Sequence, residues 1–249
     1  IPNISQLIQR MIQKRPKYFC TIDLTKGYYQ CEMEESSRKY TAFRTFMGCF
    51  QWIRMAMGLK GAPAFFQRVM QTIVLVGLIG IICELYIDDT TVFGADESEF
   101  ITNLRQVLER FKYYNITIHP GKVKVAEKVE VLGHVIDKDG VSFDPARLEK
   151  AAAFEKPVTS KKLQSFLGLA NYFRDHIRSF STLTKPLHEL VTKTKSHQKL
   201  MWTEETSNAF DAVRNSILGA QTLYTLDPEA EIVVETDASD YAYGAYVYQ

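Results

Sequence analysis

The chain has 249 residues, 46% of them hydrophobic and 24% charged, the composition of a soluble folded chain of one to three domains with room for a sizeable core. Its four cysteines, Cys20, Cys31, Cys49 and Cys83, are scattered without a C-x-x-C pair, which argues against a zinc ribbon and a disulfide scaffold and for a reducing compartment. The formal net charge of +1 announces no polyanion partner, but residues 147–199 hold 11 Lys/Arg against 4 Asp/Glu, while residues 200–249 hold 1 against 9. Such a basic segment suits a nucleic-acid backbone; on charge alone, solvated helix faces explain it better.

The first residues are polar and basic where a signal peptide would be apolar. Ile4, Leu7, Ile8, Met11 and Ile12 recur at helical spacing and predict an amphipathic helix over 3–13. KYFCTIDL is rich in β-formers and predicts a strand ending at Asp23, with Thr25-Lys26-Gly27 as its turn. QCEMEE and TAFRTF alternate and predict a hairpin. After Pro63 the pattern turns helical, with Phe66, Met70 and Ile73 on one face, until Gly77 and Gly80 break it. The longest uncharged stretch, residues 69–83, has 15 residues, short of the roughly 20 a membrane helix needs. IICELYI begins a second strand. Residues 99–114 read as a helix with Phe100, Leu104, Val107, Leu108 and Phe111 on its face, and VKVAEKVEVLGHVI returns to alternation. Asp144-Pro145 has the form of an N-cap and first turn, opening a helix that stops before Pro157. TSKKLQSFLGLANYFRDHI places Leu163, Phe166, Leu167, Ala170, Phe173 and Ile177 on one face, with Lys161, Lys162, Arg174 and Arg178 outside it. A last helix is capped by Thr203 and closed by Gly219, and EIVVETDASDYAYGAYVY reads as strand, turn and strand.

The chemistry sits at strand ends. A lone carboxylate such as Asp23 is usually a cap or turn residue, and Asp88-Asp89 between two apolar strands fits a hairpin turn. Both sites together can converge if their strands are neighbours in one sheet. Three carboxylates on one rim form an oxygen-rich site suited to Mg2+, able to hold two ions about 4 Å apart for in-line phosphoryl transfer.

Five segments in order, FCTIDLTKGYYQ, MAMGLKGAPAFFQRVM, LYIDDTTVF, VEVLGHVIDKDGVSFDP and LQSFLGLANYFRDHIRSFSTLTKPL, closely resemble the reverse transcriptase of Ty3/gypsy-type long-terminal-repeat retrotransposons, a region of the Pol polyprotein, and more distantly the retroviral enzymes. The resemblance covers essentially the whole chain. It implies an RNA-directed DNA polymerase, a nucleotidyltransferase of α+β fold. Residues 1–146 would form a right-hand polymerase palm with partial fingers, 147–200 a helical thumb, and 201–249 a connection and the truncated start of a ribonuclease H-like domain. The resemblance makes Asp23 and Asp88 the principal metal-binding aspartates, Asp89 the supporting one, and the Leu24 carbonyl a further ligand. The cofactor implied is a pair of Mg2+ ions, with Mn2+ as a substitute. One ion would acidify the primer 3′-hydroxyl and the other would hold the triphosphate and its leaving pyrophosphate.

The same resemblance distributes the remaining roles. Tyr28, five residues after Asp23, stands where the family places an aromatic gate against the ribose 2′-hydroxyl; a core aromatic is the other reading. Gly58 opens the loop Gly58-Leu59-Lys60-Gly61-Ala62-Pro63, which would lie against the template–nucleotide pair, where small residues allow close approach. Gln67 either contacts template or caps packing, and Tyr86 is grouped with the template and primer contacts. Lys122, in HPGKV, is a general acid for the leaving pyrophosphate or a solvated surface lysine. Gly133, in VLGHV, belongs to a hairpin gripping the primer end. Lys161, Lys162 and Arg174 belong to a surface that holds the duplex by its phosphates without reading sequence. Asp237 matches the first ribonuclease H carboxylate, whose partners are expected downstream.

The implied partners are an RNA or DNA template with its primer, deoxynucleoside triphosphates and the rest of the Pol polyprotein, ribonuclease H and integrase included, with no membrane. The implied location is intracellular, in a cytoplasmic particle or the nucleus. The sequence departs from the family at Met55-Ala56-Met57-Gly58, where a proline is usual, and at Val123, where a cysteine is common. The family's upstream fingers segment is not in this sequence, so an incomplete nucleotide pocket is expected. The alternative is a catalytically inactive nucleic-acid-binding remnant.

Overall fold

A computed structural model describes residues 1–194, 198–220, 222–224, 230–238 and 243–248. The chain divides into two compact units, one comprising Ile1–Leu132, Ile136–Asp139 and Thr225–Gln249, the other Gly133–Val135 and Gly140–Tyr224. None of the helices among the described residues is long and apolar enough to cross a membrane.

In the first unit, α1 (Ile4–Ile12) is capped by the Asn3 side chain and buries Leu7, Ile8 and Met11. After it come β1 (Tyr18–Ile22), the short α2 (Glu35–Arg38), the hairpin β2 (Phe43–Thr45) and β3 (Gly48–Phe50), then α3 (Ala62–Val69). β4 (Cys83–Tyr86) and β5 (Asp89–Gly94) precede α4 (Glu97–Tyr113), β6 (Lys124–Ala126) and β7 (Val129–Val131). One antiparallel sheet runs in the order β4-β5-β1-β6, and Phe66, Met70, Val107 and Phe111 from α3, the turn after it and α4 pack with Cys20, Ile22 and Val92 from its strands. The buried Asn103 of α4 is satisfied by donating to the Phe93 carbonyl at 2.9 Å.

In the second unit, β9 (Gly140–Ser142) follows β8 (His134–Ile136), whose residues divide between the units. The helices are α5 (Pro145–Ala152), α6 (Ser160–Asn171), α7 (Phe180–Lys193) and α8 (Glu204–Leu218), and β10 (Leu223–Tyr224) pairs antiparallel with β9. Leu163, Phe166, Ala170, Phe173, Phe210 and Val213 form the core, with the Phe166 and Phe210 rings 4.6 Å apart. Asp144 and Thr203 cap α5 and α8 as expected, the latter through a capping box with Thr206. Back in the first unit, β11 (Val233–Ala238) and β12 (Tyr243–Tyr248) form an antiparallel hairpin.

Three sequence expectations change. QCEMEE is no hairpin strand: it keeps one bridge, Glu32 to Arg54, and the observed hairpin is TAFRTF's own Phe43–Thr45 with Gly48–Phe50. Alternation alone does not say which neighbour a strand finds. The helix after Pro63 does not keep Ile73 inside, because Met70–Val74 is a π-helical turn. Its wider winding shifts the buried face by one residue, so Val74 is buried and Ile73 exposed. The helical face drawn from Leu163 to Ile177 is broken after Asn171, with a 3-10 turn at Arg174–His176.

α1 is tied to the sheet by a two-pronged ion pair: Arg10 Nε and Nη2 donate to the two Glu84 carboxylate oxygens at 2.8 Å each. Glu84 is only 1% exposed, so its charge depends on this partner. Arg10→Met is expected to destabilise the fold by about 3 kcal/mol, because it strands a buried carboxylate. The double variant Arg10→Met/Glu84→Leu is expected to recover most of that loss. Denaturant melts of the two variants check both outcomes.

Candidate active site

The sheet register builds the site. β1 and β5 pair so that Ile22 faces Thr90; one step further along both chains stand Asp23 and Asp89. β4 and β5 pair so that Tyr86 faces Asp89, which leaves Ile87 and Asp88 as a two-residue turn between them. The three aspartates therefore share one rim. Ile87 has φ +59°, the left-handed region, at a turn position where hairpins favour glycine. A β-branched residue held there costs about 1–3 kcal/mol of local strain. Its N–H donates to Gln67 Oε1 at 2.6 Å, and Gln67 Nε2 donates to the Leu85 carbonyl at 3.4 Å.

The Asp23 side of the rim is braced as well. The Asp23 carbonyl accepts from the His119 N–H at 2.9 Å, and the Thr25 N–H donates to the Thr117 carbonyl at 3.0 Å. These two bonds flank the Leu24–Ile118 bridge and leave the Leu24 carbonyl out of it. Gln30, unremarked in the sequence, donates to the Thr25 and Thr117 carbonyls and accepts from the Thr117 N–H. Gly27 is buried between the Phe66 ring and Asp88: a Cβ there would meet Phe66 Cζ at 3.1 Å and Asp88 Cβ at 3.5 Å. Tyr28 follows on a 3-10 turn, its ring edge-on to Phe66 with centroids 5.4 Å apart. Burial, and then the Asp88 charge, push its hydroxyl pKa up.

A groove of about 430 Å³ opens beside the rim, lined among others by Thr21, Asp23, Asp89, Thr91, Lys122 and Lys124. Lys122 Nζ donates to Asp23 Oδ2 at 3.1 Å. Asp89 remains exposed at its edge, yet its carboxyl pKa is raised. Desolvation by neighbouring atoms is the main cause, followed by the Asp88 and Asp23 charges, with Lys122 opposing. Carboxylate oxygens and a backbone carbonyl are the donors a hard divalent cation takes, and like-charge crowding is what such a cation relieves. Among the described residues, no three Asp, Glu, His or Cys side chains form a ready-made metal cluster; the cation at Asp23 is the Lys122 ammonium.

Not every predicted residue joins this rim. Gly58 has φ +89° and open space where a side chain would lie. Tyr86 ends β4, half-buried. Gln67 is 4% exposed, and both ends of its amide bond the turn. Gly133 lies in the second unit, at φ +84°, where a Cβ would overlap the Arg147 guanidinium and the Tyr172 hydroxyl. The backbone conformation favours glycine there, and a Cβ would also make the ends of the Arg147 and Tyr172 side chains shift. Lys161, Lys162 and Arg174 are exposed in that unit. Asp237 lies on β11, but its side chain is outside the described residues.

The raised Asp89 carboxyl sets a pH dependence. Its charge opposes folding at neutral pH, and that penalty is relieved as pH falls through its raised pKa. Asp89→Asn is expected to melt higher than the natural chain at pH near 7, with the difference shrinking in acid. Calorimetric melts across this range check the sign.

Comparison with known proteins shows the family and the fold. Residues 2–136 match the family model described as reverse transcriptase (RNA-dependent DNA polymerase), and residues 202–249 match that of the RNase H-like domain found in reverse transcriptase. The chain is 33% identical over 252 residues to the retrovirus-related Pol polyprotein from transposon 297 of Drosophila melanogaster, a match covering 100% of the chain and 23% of that protein. To the Pol polyprotein from transposon gypsy of the same fly it is 31% identical over 260 residues, covering 100% of the chain and 25% of the relative. It thus spans about a quarter of these relatives' length. Its fold is similar to that of the foamy viral protease-reverse transcriptase solved in complex with double-stranded DNA, with TM-score 0.81 and 25% identity over 97% of this chain and 45% of that one. With more than half of its length matched, this α+β chain belongs to the reverse transcriptase family, alongside the Pol polyproteins of long-terminal-repeat retrotransposons.

Proposed function

We propose that this chain is the polymerase region of a retrotransposon Pol polyprotein, adding deoxynucleotides to a primer 3′-hydroxyl on an RNA template. The observation that carries the reading is the β1–β5 register, which sets Asp23 opposite Asp89 with Asp88 on the adjoining turn. Asp23, Asp88 and the Leu24 carbonyl would hold two Mg2+ ions, with Asp89 in support. When bound, these ions supply Lewis-acid activation of the hydroxyl and charge neutralisation at the pyrophosphate.

The chain's own residues supply the rest. Tyr28, whose ring packs edge-on to Phe66 near the Asp88 charge, would exclude a ribose 2′-hydroxyl. Lys122 carries protons at Nζ beside Asp23 and serves as general acid toward the leaving pyrophosphate. Lys161, Lys162 and Arg174 meet duplex phosphates. We assign residues 1–146 to palm and partial fingers, 147–200 to a thumb, and 201–249 to a connection and ribonuclease H-like start.

Primer extension on an RNA template, with Mg2+ and deoxynucleotides, tests the reading. The chain joined to an upstream fingers segment is expected to extend, and Asp88→Asn in that longer chain to lose extension by at least about 100-fold while binding duplex unchanged. Duplex affinity should fall more than about tenfold as salt rises fourfold. Unimpaired extension by Asp88→Asn overturns the two-ion reading. Salt-sensitive duplex binding with no extension even when the fingers segment is supplied favours the inactive remnant.

A further inference from the structure

We infer that Gln67 is a positioning residue for Asp88: its buried side-chain amide holds the Ile87–Asp88 turn in the one conformation that presents the Asp88 carboxylate to the rim. The inference rests on the reading of Asp88 as a metal ligand.

Three observations meet at this turn. Ile87 stands at φ +59°, a backbone state that a β-branched residue does not adopt unaided. Its side chain packs against the core of the first unit, so the strained position is not released by swinging the residue into solvent. Gln67 reaches the turn from α3 with both ends of its amide. Oε1 takes the Ile87 N–H at 2.6 Å, and Nε2 gives to the Leu85 carbonyl at 3.4 Å. One planar group thus fixes the backbone on both sides of Tyr86.

The chemistry of the side chain matters. A two-residue turn with one positive φ leaves its first N–H facing inward, where water is excluded, since Gln67 is 4% exposed. An unpartnered N–H there would favour any alternative turn that reaches solvent. An amide carries an acceptor and a donor on one rigid plane; Glu offers no donor when ionised, and Met offers neither with comparable strength. Gln67 is anchored in turn, since α3 also carries Phe66, fully buried and in contact with Tyr28. The helix that steadies the Tyr28 ring therefore also sets the Asp88 turn. Metal-binding carboxylates need placement within about 0.5 Å, and a turn free to relax around Ile87 does not supply it.

The test is a double-mutant cycle read by Mn2+ binding, followed by electron paramagnetic resonance, with thermal melting alongside. Asp88→Asn is the control for the parent reading, and it should lose Mn2+ affinity outright. Gln67→Met should bind Mn2+ about tenfold more weakly while retaining a cooperative melt. In the Ile87→Gly background, where the turn no longer needs holding, the same Gln67→Met change should alter affinity by less than about twofold. If Asp88→Asn weakens binding and Gln67→Met does not, or if the Gln67→Met loss is the same in both backgrounds, the positioning role is wrong. If Asp88→Asn binds Mn2+ as the natural chain does, the metal-ligand reading fails instead. Should Gln67→Met not fold, amide hydrogen exchange on the natural chain decides. Ile87 is expected to exchange as slowly as Val92 within β5, and exchange at the rate of an open turn overturns the inference.

Discussion

The pairing of β1 with β5 is the constraint on which the rest depends. These are the two interior strands of the β4-β5-β1-β6 sheet, and their register sets Cys20 opposite Val92 in the core and Ile22 opposite Thr90 at its edge. The site is the continuation of that ladder by one residue. Because side chains alternate at period two, a slip of one position would carry Asp23 past Asp89 and exchange the residues packed on the two faces of β1. Core packing and carboxylate placement are therefore one interaction.

Around that sheet, polar side chains are used to pin backbone where no ladder reaches. Gln30 bonds the segments after Asp23 and before Ile118, Gln67 bonds both sides of Tyr86, and Asn103 ties α4 to the end of β5 through the Phe93 carbonyl. Each amide offers a donor and an acceptor, so a single residue satisfies groups that a turn would otherwise leave unpaired. Arg10 and Glu84 do the equivalent with charge between α1 and β4. The scaffold holding the rim is thus apolar in bulk and polar at its joints.

How much of this was legible follows from what each signal measures. Hydrophobic periodicity found α1 and α4, whose buried faces follow a 3.6-residue period, while runs of β-formers and apolar residues found the strands leading to Asp23 and Asp88, which are buried on both faces. Cap chemistry found the starts of α5 and α8, because Asp144 and Thr203 bond the first-turn amides locally. It could not find the π-helical turn at Met70–Val74, which is imposed by what the helix packs against. α7 was not delimited in the sequence, and Pro186 inside it reads as a breaker. The site was legible through its aspartates, whose chemistry is in the residue type. The braces were not, since nothing in the string FFQRV says that Gln67 turns inward and spends its amide twenty residues away.

The rim also concentrates local terms that the rest of the fold avoids. Within four consecutive residues, Ile87 sits in a left-handed turn, Asp89 carries a carboxyl whose charge is disfavoured by Asp88 and Asp23, and Thr90 is fully buried with its hydroxyl unpaired among the described residues. Each is unfavourable by itself, and a sequence chosen for stability alone would place glycine, asparagine and valine there. The surrounding sheet is well packed enough to carry them, as the buried Cys83, Leu85, Val92 and Phe93 on the same two strands show. Such clustering is expected where a site needs charges and a backbone shape that folding would not select. The proposal that Asp88-Asp89 is more than a hairpin turn thus has an energetic argument separate from the family to which the chain belongs.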